Sequence, residues 1–174
     1  MKKILFLFLT IIFLFSAYFI KAQIAQQSDI IINEIAWMGT AVSVNDEWIE
    51  LKNNTNQNIN INGWILRAAD GAPEIKLTGS ISANGFYLLE RTDDNSVLET
   101  PADQIYTGAL GNGGEQMFLY DGAGSIKDEI DCGTGWFAGD NTAKKTMQRI
   151  DATASGNSAS NWQTSPSIGG TPRY

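Results

Sequence analysis

Short runs of alternating apolar and polar residues fill most of the chain, and turn-forming residues separate the runs. In the run over residues 46–52, Trp48 and Glu50 fall on one face. Ile49 and Leu51 fall on the other, and this period of two is that of a β-strand. No segment after the first 22 residues keeps the 3.6-residue periodicity of an amphipathic helix. The pattern therefore predicts an all-β fold.

About eight short strands are predicted in this way. They are the runs 30–37, 46–52, 59–66, 74–77, 86–90, 116–120, 125–130 and 145–150. Gly63 within the third run predicts a bulge or a close approach of another backbone, because glycine weakens a regular strand. The turn Asp121-Gly122-Ala123-Gly124 predicts a hairpin between the two runs that flank it. Many short strands separated by turns are typical of a β-sandwich.

The first residues have the pattern of a secretory signal peptide. Lys2 and Lys3 precede an apolar run from Ile4 to Ile20, which gives a charged n-region followed by an h-region. We predict a signal peptide over residues 1–22, and a run of this length also suits an uncleaved N-terminal anchor. Both forms place the remainder outside the cytoplasm, because the lysines stay inside. We therefore expect an exported protein, either secreted or associated with the cell surface.

The remainder divides into a polar tether over residues 23–29 and one folded domain over residues 30–174. The whole chain has 12 Lys and Arg against 19 Asp and Glu, a formal net charge of −7. Without Lys2, Lys3 and Lys21, 9 basic residues face the same 19 acidic ones, so the charge becomes −10. Nucleic acid binding requires a surplus of basic residues, so we expect no nucleic-acid partner. We expect membrane contact only through an uncleaved N-terminal segment.

The composition excludes several kinds of chemistry. The chain has no histidine, which removes histidine-dependent nucleophiles, imidazole bases and histidine-ligated zinc. Its single cysteine, Cys132, excludes an internal disulfide and a cysteine-based metal cage. We predict that Cys132 is a buried structural thiol. An enzyme with this composition would have to use carboxylates.

Three motifs near the start of the domain occur in a recognisable order. They are Ile31-Ile32-Asn33-Glu34-Ile35-Ala36-Trp37, Glu47-Trp48-Ile49-Glu50-Leu51-Lys52-Asn53 and Ile61-Asn62-Gly63-Trp64-Ile65-Leu66. This succession resembles the lamin tail domain family in its bacterial exported form. A Gly-rich turn before residues 115–120, a basic strand at 144–150 and Asn161-Trp162 follow in the family's order. The resemblance covers residues 30–174 and implies an immunoglobulin-like β-sandwich of about eight short strands.

The end of the chain departs from the family pattern. The family usually closes with a Thr-Pro-Gly turn, whereas this chain has Thr171-Pro172-Arg173.

Three carboxylates are the best catalytic candidates. Glu34, Glu47 and Glu50 fall on the first two strands, and a glycosidase needs two carboxyl groups roughly 5 to 10 Å apart. The resemblance favours a framework role instead, in which they bond the backbone or pair with Lys52 or Arg149. We therefore assign no catalytic, cofactor-binding or metal-binding residue.

Two acidic groups and the tryptophans are the remaining candidates. Asp93-Asp94-Asn95 and the acids Asp128, Glu129 and Asp131 could supply oxygen ligands to calcium, but they lack the spacing of a calcium loop. We expect solvated surface acids and no cofactor, with calcium as the alternative.

The five tryptophans could form a platform for stacking sugars. Trp48 and Trp64 lie within predicted strands and are expected in the core. Trp136, between Gly135 and Phe137 in a loop, is the best candidate for an exposed ring.

The expected function is a non-enzymatic interaction, adhesion or structural module at the cell surface or outside the cell. Its expected partner is a protein or a surface glycan. The alternative is a carbohydrate-binding module or a weak carboxylate-based glycoside hydrolase.

Overall fold

The computed structural model describes residues 28–98 and 100–174. The predicted signal peptide at 1–22, and the tether apart from residues 28 and 29, lie outside the described residues. The described strands are β1 (Ile30–Ala36), β2 (Trp48–Asn53), β3 (Ile59–Asn60), β4 (Ile65–Ala68), β5 (Glu74–Lys76), β6 (Ser80–Ile81), β7 (Phe86–Arg91), β8 (Gln104–Tyr106), β9 (Gln116–Tyr120), β10 (Ile126–Asp131), β11 (Met147–Arg149) and β12 (Trp162–Thr164). A short 3-10 helix, Ala159–Asn161, precedes β12. Over the same residues, no helix has the length and apolar composition needed to cross a bilayer.

Two sheets pack face to face and confirm the predicted immunoglobulin-like sandwich. One sheet has six strands in the order β12-β11-β1-β2-β7-β8, and the other has four in the order β10-β9-β4-β5. All neighbours in these sheets are antiparallel except β7 and β8. A two-stranded pair, β3 with β6, completes the described sheets.

The main core lies between the two sheets. Ile49 and Leu51 face it from β2, and Leu66 and Leu119 face it from β4 and β9; each is 0% exposed. Cys132 belongs to the same core, and burial raises the pKa of its thiol to about 11. The prediction of a buried thiol is therefore confirmed.

The other face of the six-stranded sheet is also covered. Ala36, Trp48 and Leu88 form a separate buried cluster there, with Val97 packed against it. Ala36 at the end of β1 belongs to this outer cluster, and every residue of β1 is buried. The predicted alternation of β2 is confirmed, because Trp48 belongs to the outer cluster while Ile49 belongs to the main core.

The structure divides the predicted run at 59–66 into two strands. β3 ends at Asn60 and β4 begins at Ile65, and the amide of Trp64 donates to the carbonyl of Ile61, 3.1 Å away. Gly63 has φ of +80° within this turn, a backbone conformation that glycine adopts without steric cost. The predicted bulge at Gly63 is therefore wrong, because the glycine forms a turn between strands of different sheets.

Candidate functional site

Three glutamates lie on the covered outer face of the six-stranded sheet. Glu34 on β1 is directly opposite Glu50 on β2, and Glu90 on β7 is directly opposite Trp48. All three glutamates are 0% exposed. Their positions follow from strand alternation, since each occupies the face opposite the main core.

The last ten residues, 165–174, cover this part of the sheet, and we call them the C-terminal strap. They begin next to β12 at one edge, and Arg173 reaches Asp103, next to β8 at the other edge. Between these ends, the strap contacts Gln148 on β11, then Glu34 on β1, then Glu50 on β2. The strap therefore crosses the six-stranded sheet from one side to the other.

Glu34 is held mainly by Thr171 of the strap. The Thr171 amide donates to Oε1 at 2.9 Å, and its hydroxyl donates to Oε2 at 2.9 Å. The hydroxyl of Thr146 on the sheet side also donates to Oε1. Burial raises the pKa of Glu34, and these hydrogen bonds partly offset the increase.

Glu50 joins the strap to the sheet one strand further along. The Arg173 amide donates to Oε2 at 2.5 Å, and the Asn33 side-chain amide donates to Oε1 at 2.9 Å. Burial raises the pKa of Glu50 to about 7; the two hydrogen bonds oppose the rise, and the nearby Glu34 charge adds to it. Arg173 directs its guanidinium to Asp103, with Nη2 and Oδ2 2.9 Å apart.

The departure from the family's closing turn falls within this contact. Arg173 occupies the place of the final glycine in Thr-Pro-Gly and has φ of +65°. A left-handed backbone costs a residue other than glycine about 1 kcal/mol or more. The bonds from Arg173 to Glu50, Asp103 and the Pro101 carbonyl hold it in this conformation.

Glu47 lies apart from this pair, so the three predicted carboxylates do not form one set. Its Oε2 accepts the Leu110 amide at 2.8 Å, and its Oε1 lies 3.3 Å from Nη1 of Arg91. Burial raises the pKa of Glu47, and both partners oppose the increase. The carboxylates therefore bond the backbone as expected, but the proposed pairing with Lys52 or Arg149 is wrong.

Glu90 is a third buried carboxylate on the outer face that the sequence analysis did not single out. Its oxygens accept the amides of Ser96 at 2.8 Å and Val97 at 3.2 Å. The alternation of Phe86, Leu88 and Glu90 along β7 places it on this face and was available in the sequence.

Asp128 and Arg149 form a buried ion pair between the two sheets. Nη2 of Arg149 lies 2.9 Å from Oδ2 of Asp128, with side-chain exposures of 1% and 8%. The same oxygen accepts the Ile32 amide at 2.8 Å, so Asp128 joins β10 to both β1 and β11. The pair borders a cavity of about 230 Å³ lined also by Ser28 and Gly156.

The candidate calcium acids bond protein groups instead of collecting at one point. Asp94 accepts the Ala102 amide at 2.7 Å, Glu129 accepts the Asn157 side chain, and Asp131 accepts the Gly133 amide at 3.2 Å. Within residues 28–98 and 100–174, no group of three or more acidic or cysteine side chains could hold a metal ion.

The tryptophans belong largely to the core. Trp48 and Trp64 are 1% and 9% exposed, as predicted. Trp136 is half-buried, its ring stacks on Trp37 with centroids 5.8 Å apart, and its Nε1 donates to the Gly111 carbonyl at 2.8 Å. One face of the Trp136 ring is therefore occupied within the protein.

The outer face of the four-stranded sheet has a different surface. Phe118 and Tyr120 on β9 are half-buried and point away from the core, opposite Arg67 and Ile65 on β4. The guanidinium carbon of Arg67 lies 5.2 Å from the Tyr120 ring centroid. A groove of about 390 Å³ is lined by Ile65, Arg67 and Tyr120 and extends to the turn at Gly122.

The comparisons with known proteins place this structure in a family. No curated protein matches the chain. The model of the Lamin Tail Domain matches residues 23–134, and beyond them β11 and β12 continue the same six-stranded sheet. The match spans more than half of the chain and agrees with the immunoglobulin-like sandwich. The chain belongs to the Lamin Tail Domain family.

Proposed function

We propose that the protein is an exported, non-enzymatic interaction module that binds a partner protein at the cell surface or outside the cell. The observation that supports this proposal is the open outer face of the four-stranded sheet, which has Phe118, Tyr120 and Arg67 at its centre. Aromatic residues and arginine are the types most often found at the energetic centre of protein interfaces. The opposite outer face is already covered by the C-terminal strap.

The buried carboxylates support a role without catalysis. Glu34 and Glu50 are 0% exposed and bond to the strap, so the closed structure gives a substrate no access to them. Glu47 is 4% exposed and is bonded to Leu110 and Arg91. These groups stabilise the fold and do not line a cleft.

The charge of the chain favours a basic partner. With a formal net charge of −7, the protein attracts basic surfaces and repels acidic ones, and association with a basic partner should slow as salt increases. The proposed partner therefore presents an apolar centre to Phe118 and Tyr120 and basic residues around it.

Capture of a partner from the native envelope fraction, followed by affinity measurement with that purified partner, tests the proposal. Phe118→Ser should weaken binding by about tenfold or more, since a central interface residue contributes more than about 1 kcal/mol. Ile105→Ser is the matched control, because Ile105 is 41% exposed on β8 of the other sheet. Equal affinities for Phe118→Ser and the wild type would reject this face as the binding site.

Carbohydrate binding is the alternative function, and the partly exposed ring of Trp136 favours it. A glycan array distinguishes the two functions. Specific sugar binding that is lost in Trp136→Ala, with the fold intact by circular dichroism, would replace the protein partner with a glycan.

Cell fractionation and the mass of the mature N-terminus test export. A protein lacking residues 1–22 in the external fraction supports cleavage, and a full-length protein in the membrane fraction supports the anchor. A protein confined to the cytoplasm would overturn the proposal of export.

A further inference from the structure

The C-terminal strap is held by polar contacts and has no apolar anchor. Its two large apolar side chains, Ile168 and Tyr174, are 75% and 88% exposed. Near its start, the strap is held by backbone hydrogen bonds from Ser165 to Thr146 and from Gly169 to Lys144. Its last residues are held by the hydrogen bonds from Thr171 to Glu34 and from Arg173 to Glu50. The stability of this last part of the closed strap therefore depends on the state of the two carboxylates.

The two carboxylates have little compensation for a double negative charge. They face each other across β1 and β2, and like charges directly opposite in a sheet destabilise it. Among the described residues, no cationic side chain makes a salt bridge with either one. The positive charge of Arg173 lowers the pKa of Glu50, but by less than burial raises it, and the guanidinium itself is paired with Asp103.

The other cations near the strap are also engaged elsewhere. Nζ of Lys144 donates to the Met38 carbonyl at 3.0 Å, and Nζ of Lys145 donates to the Pro166 carbonyl at 2.9 Å. The neighbouring side chains from β11 and the residue before it are neutral. The Thr146 hydroxyl donates to Glu34, and the Gln148 side chain donates to the Thr171 hydroxyl. Closing the strap over two ionised glutamates thus removes water from both charges without supplying a paired cation.

We infer that the C-terminal strap is a proton-linked latch, which closes firmly when either Glu34 or Glu50 is protonated and loosens when both are ionised. When the strap opens, water reaches the two carboxylates, and the outer cluster around Trp48 loses part of its cover, because Gly170 lies directly against the Trp48 ring. This inference goes beyond the proposed function and does not depend on any partner.

The direction of the effect follows from linkage. Burial raises the pKa of Glu50 from 4.5 to about 7 in the closed structure, and exposure to water returns it toward its ordinary value. The closed strap therefore binds the proton more tightly than the open strap. The equilibrium constant for closing is highest below about pH 4.5, falls by up to tenfold per pH unit toward about pH 7, and is constant above that.

The backbone conformation of Arg173 also favours opening of the strap when both carboxylates are ionised. Its left-handed φ of +65° is maintained by its bond to Glu50 and its ion pair with Asp103. Once these contacts loosen, Arg173 can relax to an ordinary conformation, and this favours opening.

Amide hydrogen exchange of the full chain, measured by NMR at pH 5, 6, 7 and 8, tests the latch. The readouts are the protection factors of the Thr171 and Arg173 amides after correction for intrinsic exchange rates. We expect both to fall by roughly tenfold per pH unit between pH 5 and 7 and then to level off. The β2 amide of Leu51 reports global unfolding, and protection factors of Thr171 and Arg173 that lie well below that of Leu51 at each pH show that the strap opens without unfolding of the domain.

Two variants provide matched controls. Glu50→Gln removes the titrating group and should flatten the pH dependence at Thr171. Glu90→Gln removes a buried carboxylate on the same face that is covered by Ser96 and Val97 and not by the strap, so it should leave the dependence unchanged. The pH series on the wild-type protein tests the latch even if one of the variants does not fold. Protection of Thr171 that is independent of pH, or a slope that survives in Glu50→Gln, would overturn the latch.

Discussion

Replacing Asp128 with alanine should strongly destabilise the protein. Asp128 lies on β10, while its partners, Arg149 and the Ile32 amide, belong to the six-stranded sheet. Asp128→Ala therefore removes a polar link between the two sheets and leaves the guanidinium, with a side-chain exposure of 1%, without a counter-charge.

The expected loss is about 5 kcal/mol. Breaking a buried pair from one side costs about 3–5 kcal/mol, because the remaining charge is uncompensated. Leaving the Ile32 amide unpaired adds about 1–3 kcal/mol. The two costs are not fully additive, because the Ile32 amide and Nη2 of Arg149 both donate to Oδ2 of Asp128. A domain of this size unfolds at about 5–15 kcal/mol, so the variant should be close to the limit of folding.

Urea unfolding of the full chain, followed by tryptophan fluorescence, measures the change. With an m-value of about 2 kcal/mol/M, the midpoint should fall by about 2–3 M. The double variant Asp128→Leu with Arg149→Met should recover most of this loss, because it removes the buried charge as well as its partner. A loss below about 1 kcal/mol in Asp128→Ala would refute the assignment of this pair as a link between the sheets.

Three further predictions concern single positions. Gly170→Ala should displace the C-terminal strap, because a Cβ there would lie 2.5 Å from Oε1 of Glu34 at a φ of +89°; faster exchange of the Thr171 amide reports it. Gly124→Ala, at a φ of +81° with no atom within 4 Å, is the control and should leave that exchange unchanged. The free energy of unfolding should fall by up to about 3 kcal/mol between pH 4.5 and 7. The reason is that the pKa of Glu50 is raised to about 7 in the folded state, so the folded protein binds the proton more tightly than the unfolded chain. In Glu50→Gln this decrease should largely disappear, and a wild-type stability that rises over the interval would contradict it. Cys132 is 0% exposed with a thiol pKa of about 11, so it should resist iodoacetamide at pH 8 and react in urea; fast labelling of the native protein would contradict its burial.

Strand faces could be predicted from the sequence where alternation extends over five or more residues. The alternation of Trp48 and Ile49 assigned each to its observed face. The hairpin of β9 and β10 also forms as predicted around the turn at Asp121. In both places the signal is local, because neighbouring residues or one turn determine the geometry.

Two short strands, β8 and β12, were not predicted. They have three residues each, and unlike β5 and β11, which have the same length, they do not lie in one of the predicted runs. β8 pairs in parallel with β7, so it depends on the loop between them and not on a turn signal.

The acidic residues of the candidate site could be predicted from the sequence, but the C-terminal strap that covers them could not. Glu34 and Glu50 were expected on neighbouring strands and are directly opposite each other. Their main partners, Thr171 and Arg173, are 137 and 123 residues away along the chain. Arg149 was paired with the wrong acids because Asp128 enters from the second sheet. Partners at such separations depend on the packing of the sheets, which a strand pattern does not encode.

The order of strands in the six-stranded sheet has a consequence for synthesis. β1 is among the first elements to leave the ribosome, but one of its neighbours is β11, more than a hundred residues later. At about 5–20 residues per second, β11 follows roughly 5 to 20 s after β1. During this interval Ile30 and Ile32, both buried in the finished core, lack part of their cover, and the nascent chain offers a binding site for chaperones. The six-stranded sheet is therefore completed only after β11 and β12 have been synthesised.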